Sequence, residues 1–257
     1  MQQIIQNFKF QTLVDQHYPK SQPFNYNYLL GIAMLYVMLS IVSGITVYKL
    51  ISFHYIVLPS AIMLTPLIYS LSNITTEVYG YSVARNMMWW FVLVSAIFTT
   101  FGYLIAHIPT PTTPKIQEAY NLILGNMPII FFAGTIGSIL GISFNNFTVS
   151  KFKVILSGKK YWLRSILSTA GGEVVYNLIA YPLMFVGRTS ALEFFHILIS
   201  VSLFKIATTA FIWPLECLVA AWLKRKEGLN VIDNGIDYNI FRFRIRYPQK
   251  PNLKVIK

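Results

Sequence analysis

Charged and amide side chains stand inside apolar stretches of this sequence, at spacings that fit one binding site. Glu173 is followed by Tyr176 and Asn177, and residues three and four positions apart share one face of a helix. Lys205 and Glu216 lie eleven positions apart, which at about 100° per residue returns to nearly the same face. Carboxylates and amides can hydrogen-bond the edge of a planar polar ligand, and aromatic rings can stack on its face.

A second group of polar side chains lies in the segment NITTEVYGYSVAR. A helix that continues past the preceding apolar run would present Asn73 and Glu77 on one side, because they are four positions apart. Gly80 then lets the chain turn between two tyrosines, and Tyr81 and Arg85 follow. The alternative is that Glu77 and Arg85 form an ordinary ion pair in a loop.

The composition places these polar residues in a membrane protein. Hydrophobic residues make up 55% and charged residues 12% of the 257 positions, and the mean hydropathy is +0.54. Soluble domains carry about 25% charged residues. The single cysteine, Cys217, excludes an internal disulfide and a CxxC motif.

Six apolar runs are long enough to cross a bilayer, which takes about 17 to 25 helical residues. They are Leu29–Tyr48, Tyr55–Leu71, Met87–Ala106, Met127–Phe147, Ser165–Val186 and Phe194–Leu223. We therefore predict an all-α polytopic membrane protein with six transmembrane helices. In the fourth run, Gly137 and Gly141 lie four apart, which lets a second helix approach closely. We expect that helix to belong to the same chain, with dimerisation as the alternative.

The basic residues predict the orientation of these spans. The loops on one side contain only three basic residues, Lys49, Lys115 and Arg188. The other side, which has both termini, contains nearly all the remaining basic residues. Because Lys and Arg accumulate in cytoplasmic loops, both termini are expected in the cytoplasm. The net charge of +12 is then a topology signal, and no nucleic-acid partner is expected. The chain divides into a cytoplasmic N-terminal segment (1–28), a six-helix membrane domain (29–223) and a basic cytoplasmic tail (224–257).

Two glutamates are too deep in the predicted spans to belong to loops. An ionisable side chain in hydrocarbon costs about 2.5 to 3.5 kcal/mol on insertion scales, so it requires a partner or a function. Glu173 lies nine residues after Arg164, about 13 Å along a helix. Glu216 lies eight residues before Lys224, about 12 Å by the same rise.

Three segments carry a resemblance to a known family. They are TEVYGYSVAR, STAGGEVVYNLIAYPLMF (Ser168–Phe185) and FKIATTAFIWPL (Phe204–Leu215). In this order within six spans, they resemble the queuosine-precursor transporters, also called the vitamin uptake transporter family, over about 29–226. The matching positions are Glu77, Tyr79, Gly80, Tyr81, Ala84, Arg85, Gly172, Glu173, Lys205 and Pro214. The resemblance implies uptake of 7-deazaguanine bases for tRNA modification across the inner (cytoplasmic) membrane.

The sequence departs from that family at two carboxylates. Asn73 and Tyr176 stand where the family pattern has aspartate, and Thr209 and Glu216 are also unlike its usual residues. A cationic aminomethyl group would favour the missing carboxylates, so these departures concern the ligand more than the fold.

The resemblance also suggests how a guanine-like base would be bound. We expect Glu173 or Glu77 to accept the N1–H and the exocyclic amine as a bidentate pair. Asn73 and Asn177 would bind the carbonyl and ring nitrogens, and Lys205 would neutralise a glutamate in the empty site. The predicted substrate-binding residues are Asn73, Glu77, Tyr81, Arg85, Glu173, Tyr176, Asn177, Lys205 and Glu216. No metal or cofactor is expected.

Two other classes of protein remain open. A substrate-binding subunit of an energy-coupling-factor transporter has a similar size, and it would need ATPase partners because the chain has no GxxxxGK[ST] motif. A membrane enzyme is less expected, because the four histidines lie apart without HxxxH or HExxH spacing. The expected partners are a small base and the lipid bilayer, and the sequence leaves a homo-oligomer open.

Overall fold

A computed structural model of the chain describes residues 26–53, 56–109, 114–185 and 190–243. Its helices are α1 (Leu29–Thr46), α2 (Thr65–Tyr79), α3 (Tyr81–His107), α4 (Pro114–Ile123), α5 (Met127–Ile155), α6 (Tyr161–Phe185) and α7 (Ala191–Glu227). One antiparallel hairpin, β1 (Leu50–Phe53) and β2 (Ile56–Pro59), precedes a short 3₁₀ helix, Ser60–Met63. The predicted all-α class is confirmed, and most of the predicted N-terminal segment lies outside the described residues.

Four helical segments of the described chain are long and apolar enough to cross a membrane. They are Leu29–Thr46, Tyr81–His107, Pro114–Ile155 and Phe194–Glu227. α2 and α6 are not among them, since α2 has 15 residues and α6 contains Arg164, Glu173 and Asn177. These segments indicate a multi-pass membrane protein.

The predicted span Tyr55–Leu71 has the wrong bounds. Its first part belongs to the β1–β2 hairpin and the 3₁₀ helix, and α2 begins only at Thr65. The hairpin is rich in β-branched and aromatic residues, which favour strands, and Pro59 ends it. Pro66 stands in the first turn of α2, where its missing N–H leaves no helical hydrogen bond unmade. The helix then continues to Tyr79, as the polar spacing predicted.

α2 is the central helix of the bundle. It contacts α1, α3, α5, α6 and α7, and residues along its whole length are buried. Its polar side chains therefore face other helices, where they find hydrogen-bond partners, instead of lipid. This arrangement explains how so polar a segment fits a membrane protein.

α5 and α6 pack against each other through glycines. A Cβ on Gly141 would lie 2.7 Å from the carbonyl oxygen of Gly172, and a Cβ on Gly172 would lie equally close to that of Gly141. Gly137 has Ala180 and Tyr176 at similarly short distances. The predicted contact of Gly137 and Gly141 with a helix of the same chain is confirmed. It brings Tyr176 into the bundle interior.

The bundle has two ends, which we name by their landmarks. The hairpin end holds β1, β2 and the start of α2. The Gly80 end holds the turn from α2 to α3 and the turn from α5 to α6. Gly80 has a φ of 92°, which confirms the turn predicted there, because glycine adopts positive φ without steric cost.

Candidate functional site

Polar side chains, all buried except the half-buried Ser202 and Lys224, form three clusters between the two ends. The outer cluster is Glu173, Asn177, Ser202 and Lys205. The middle cluster is Asn73, Asn145, Ser165, Thr169 and Glu216. The inner cluster is Glu77, Lys153, Arg164 and Lys224. They follow one another along α6 and α7, from the hairpin end to the Gly80 end, and the middle and inner clusters also include residues of α2.

The outer cluster is centred on a buried ion pair. Lys205 Nζ lies 2.5 Å from Glu173 Oε2 and donates to Asn177 Oδ1 at 3.0 Å. The same ammonium lies 5.1 Å from the ring centroid of Tyr176 and 5.8 Å from that of Tyr181, which is cation–π distance. One lysine thus joins a carboxylate, an amide and two aromatic rings.

Some polar atoms in this region lack partners. Within the described part of the chain, Glu173 Oε1 and the hydroxyls of Tyr69 and Thr209 are buried and make no hydrogen bond. Leaving a buried polar atom unpaired costs about 1 to 3 kcal/mol, and more for a charged group. Such atoms are therefore available to a ligand that supplies the missing partner.

A cavity of about 110 Å³ adjoins the outer cluster. Val47, Ala61 and Met127 line it, which places it toward the hairpin end. Its polar wall includes Lys205, Tyr69, Tyr176, Tyr181 and several hydroxyls of α1, α3 and α5. Lys205 therefore faces both the cavity and Glu173.

The middle cluster is a network of neutral hydrogen bonds around one acid. Asn73 donates to Ser165 Oγ at 3.1 Å and to Thr169 Oγ1 at 2.9 Å, and its carbonyl accepts from Asn145 at 2.7 Å. Ser165 donates onward to Glu216 Oε1 at 2.6 Å. The predicted residues Asn73 and Glu216 are thus linked through a serine of α6.

The inner cluster surrounds one carboxylate with three cations. Arg164 donates to both oxygens of Glu77, at 2.9 and 3.3 Å. Lys224 Nζ lies 2.5 Å and Lys153 Nζ 3.5 Å from Glu77 Oε1. Glu77 is 0% exposed, and Lys153 and Arg164 are each 1% exposed. The ion pairs of this cluster connect α2, α5, α6 and α7 at the Gly80 end.

The chain after α7 folds back over the Gly80 end. Asp233 Oδ2 accepts from the backbone N–H of Tyr81 at 2.9 Å and from Ser150 Oγ at 2.6 Å. Arg85 donates to the backbone carbonyls of Asp237 and Asn239, at 3.1 and 2.8 Å. This strap, residues 228–243, covers the turn between α2 and α3.

Arg85 and Tyr81 therefore bind the strap. The hydroxyl of Tyr81 donates to the carbonyl of Tyr238 at 3.1 Å, and the two rings are 4.9 Å apart. The carboxylate of Glu77 is bound by cations from α5, α6 and α7. Within the strap, the Asp237 carboxylate accepts from the backbone N–H of Asn239 at 2.9 Å and from the Arg242 guanidinium at 2.5 Å, and these hydrogen bonds lower the pKa of Asp237.

Gly80→Ala is expected to loosen this strap. A Cβ at Gly80 would lie 2.9 Å from both Asp233 Oδ1 and Val231 Cγ1, and its φ is unfavourable for alanine by about 1 to 3 kcal/mol. We expect faster trypsin cleavage at Arg242 in the purified variant. Gly228→Ala is the control, because Gly228 also has positive φ but has no neighbour within 4 Å of a Cβ. Equal cleavage in both variants would contradict a steric role for Gly80.

The structure distributes the nine predicted residues over these features. Glu173, Asn177, Lys205 and Tyr176 meet beside the cavity; Asn73 and Glu216 lie in the middle cluster; Glu77 lies in the inner cluster; Tyr81 and Arg85 hold the strap. The sequence patterns did not identify Asn145 or the roles of Lys153 and Arg164. For Asn145 and Lys153 the signal was the i, i+4, i+8 spacing of Asn145, Val149 and Lys153, which indicates that the helix of the fourth predicted span, α5, continues beyond Phe147.

No group of three or more His, Cys, Asp or Glu side chains in the described ranges is placed to hold a metal ion. The donors near the cavity are an ammonium, hydroxyls and amides. They suit hydrogen bonding to an organic ligand.

Comparison with known proteins identifies the family. The sequence profile of the family described as "putative vitamin uptake transporter" matches residues 59–219, more than half of the chain. No curated protein and no solved structure shows a significant match. The matched range includes α2, most of the cavity lining and twelve of the thirteen cluster residues, all except Lys224. The chain belongs to the vitamin uptake transporter family.

Proposed function

We propose that the protein imports a queuosine precursor, or a related 7-deazaguanine or purine-like base, for tRNA modification. Membership of the vitamin uptake family supports uptake of a small molecule. The observation that carries the ligand class is the Glu173–Lys205 pair beside a cavity walled by tyrosines. Acidic and aromatic side chains together suit a planar ligand with hydrogen-bond donors along one edge.

The cavity is smaller than a two-ring base requires. A cavity of about 150 Å³ holds one benzene ring. The present cavity of about 110 Å³ is slightly smaller, so a two-ring base requires its side chains to move outward. Ser138 and Thr135 of α5 and Ser43 of α1 line the wall and add hydroxyl partners.

The recognition step would exchange one partner of Glu173 for another. Lys205 neutralises Glu173 Oε2, while Glu173 Oε1 has no hydrogen-bond partner among the residues that the structure describes. A base edge with two N–H donors would satisfy both oxygens, and the released Lys205 would bind the carbonyl of the base. Stacking on Tyr176 or Tyr181 would add about 1 to 3 kcal/mol.

We further propose that α1, α2, α3, α5, α6 and α7 span the inner membrane with both termini in the cytoplasm. The Gly80 end carries the inner cluster and the exposed Lys151, Lys159 and Lys160, whereas basic residues are sparse at the hairpin end. This asymmetry supports a cytoplasmic Gly80 end. The cavity would then face outward, while the inner cluster and the strap close the cytoplasmic side.

Uptake of a radiolabelled 7-deazaguanine base into cells that lack their own transporter and biosynthesis tests this function. We expect uptake that depends on the protein and that excess guanine-like bases inhibit more strongly than adenine. Glu118→Gln on exposed α4 is the control and should transport normally. Presence in the membrane is checked on Lys115→Cys in a Cys217→Ser background, which the proposed topology makes accessible to an impermeant thiol reagent.

A lack of uptake can have two causes, and the experiment distinguishes them. If the labelled Lys115→Cys protein is present and no base enters, the base assignment is wrong and vitamins become the next substrates to test. Uptake that appears only with co-expressed ATPase subunits would instead identify an energy-coupling-factor component.

A further inference from the structure

Glu216 differs from the other two glutamates that are buried among the described residues. Glu77 is bound by three cations and Glu173 by Lys205, whereas the donors to Glu216 are neutral. Tyr161 and Ser165 donate to its Oε1 at 2.7 and 2.6 Å, and within the described ranges its Oε2 has no hydrogen-bond partner. Glu216 is 2% exposed.

An ionised carboxylate in such a position has a high free energy. Burying a charge without a counter-charge costs so much that the group binds a proton instead. In membrane proteins, buried acids of this kind recur along proton pathways. When water reaches the group in another conformation, the same carboxyl can ionise.

The surroundings of Glu216 place it between the two charged clusters. On α6 it faces Tyr161 and Ser165, with Arg164 toward the inner cluster and Glu173 toward the cavity. On α2 it faces Ser70 and Asn73, with Tyr69 and Glu77 on either side. On α7 itself the titratable side chains within eleven residues of Glu216 are Lys205, Cys217, Lys224, Arg225, Lys226 and Glu227. β2, which also packs on α7, has no titratable side chain.

We propose that Glu216 carries one proton through the transport cycle and thereby couples uptake to the proton gradient. The inference rests on the proposed transport function. The Glu216 carboxylate takes a proton from a hydronium ion at the hairpin end and stays a neutral acid while the transporter changes conformation. It then gives the proton to a water molecule at the Gly80 end. The only bond made and broken is the O–H bond.

The coupling is tested with purified full-length protein in liposomes. With one proton per base, a gradient of one pH unit supports about a tenfold accumulation of labelled base. We expect this accumulation for the wild type and for Glu118→Gln. Glu216 was predicted to bind substrate, but it is not among the side chains that line the cavity. For Glu216→Gln, exchange of labelled for unlabelled base should therefore remain measurable, while accumulation in response to the gradient is lost. If Glu216→Gln still accumulates base in response to the gradient, the proposal is overturned.

A second readout needs no substrate. At neutral pH, the infrared spectrum of the wild type should contain the carbonyl band of a protonated carboxylic acid, and this band should be missing from Glu216→Gln. Identical spectra would overturn the proposal even if transport were pH-dependent. Absence of exchange in every variant would instead refute the proposed substrate, and the infrared comparison would then decide the protonation of Glu216 independently.

Discussion

Glu77→Ala is expected to yield a protein that is strongly destabilised and accumulates poorly in the membrane. The substitution removes the acceptor of Arg164, Lys153 and Lys224 and leaves two cations that are each 1% exposed. Breaking a buried ion pair by deleting one partner costs about 3 to 5 kcal/mol. Because domains are stable by only about 5 to 15 kcal/mol, this is a large fraction of the total.

The measurement is the midpoint of thermal aggregation of the protein in detergent. Glu118→Ala, on exposed α4, controls for the loss of one negative charge. Glu77→Asp should be intermediate, since it keeps the charge but shortens the side chain. Combining Glu77→Ala with Lys153→Met should recover part of the loss by removing one unpaired cation. A midpoint for Glu77→Ala equal to that of Glu118→Ala would show that the inner cluster does not hold the helices together.

The sequence predicted helices well where apolar runs are uninterrupted and poorly where polar residues extend them. The predicted start of the fourth run at Met127 is confirmed, but α5 continues eight residues beyond Phe147. α3 likewise begins at Tyr81 instead of Met87. In both helices the additional turns are polar and lie at the Gly80 end, where they contact the inner cluster or the strap. Hydropathy detects only the part of a helix that faces lipid.

The outer cluster was the most predictable part of the candidate site. Spacing alone put Glu173 and Asn177 on one face, and the structure places Lys205 against both. The strap was not predictable, because its contacts are mostly to backbone carbonyls, which leave no pattern in side-chain types. Arg85 shows this limit: its residue type suggested a carboxylate partner, whereas its guanidinium binds two main-chain oxygens of the strap.

Lys205→Met is expected to destabilise the protein and abolish base uptake. It leaves Glu173, 2% exposed, without the cation that neutralises it, at a cost of about 3 to 5 kcal/mol. It also removes the ammonium from the cavity wall. A hydrogen bond to a charged group contributes about 1.5 to 3 kcal/mol, so loss of that contact alone should weaken ligand binding by about 10- to 100-fold.

The double variant Lys205→Met/Glu173→Gln separates the two effects. Replacing both partners removes the unpaired charge, so the thermal midpoint should return toward that of the wild type, while uptake stays low because neither charged group remains to bind the base. Lys151→Met, which removes an exposed lysine at the end of α5, controls for the loss of a positive charge. Normal uptake in a stable double variant would show that the Glu173–Lys205 pair is structural and that the ligand is bound by other side chains of the cavity.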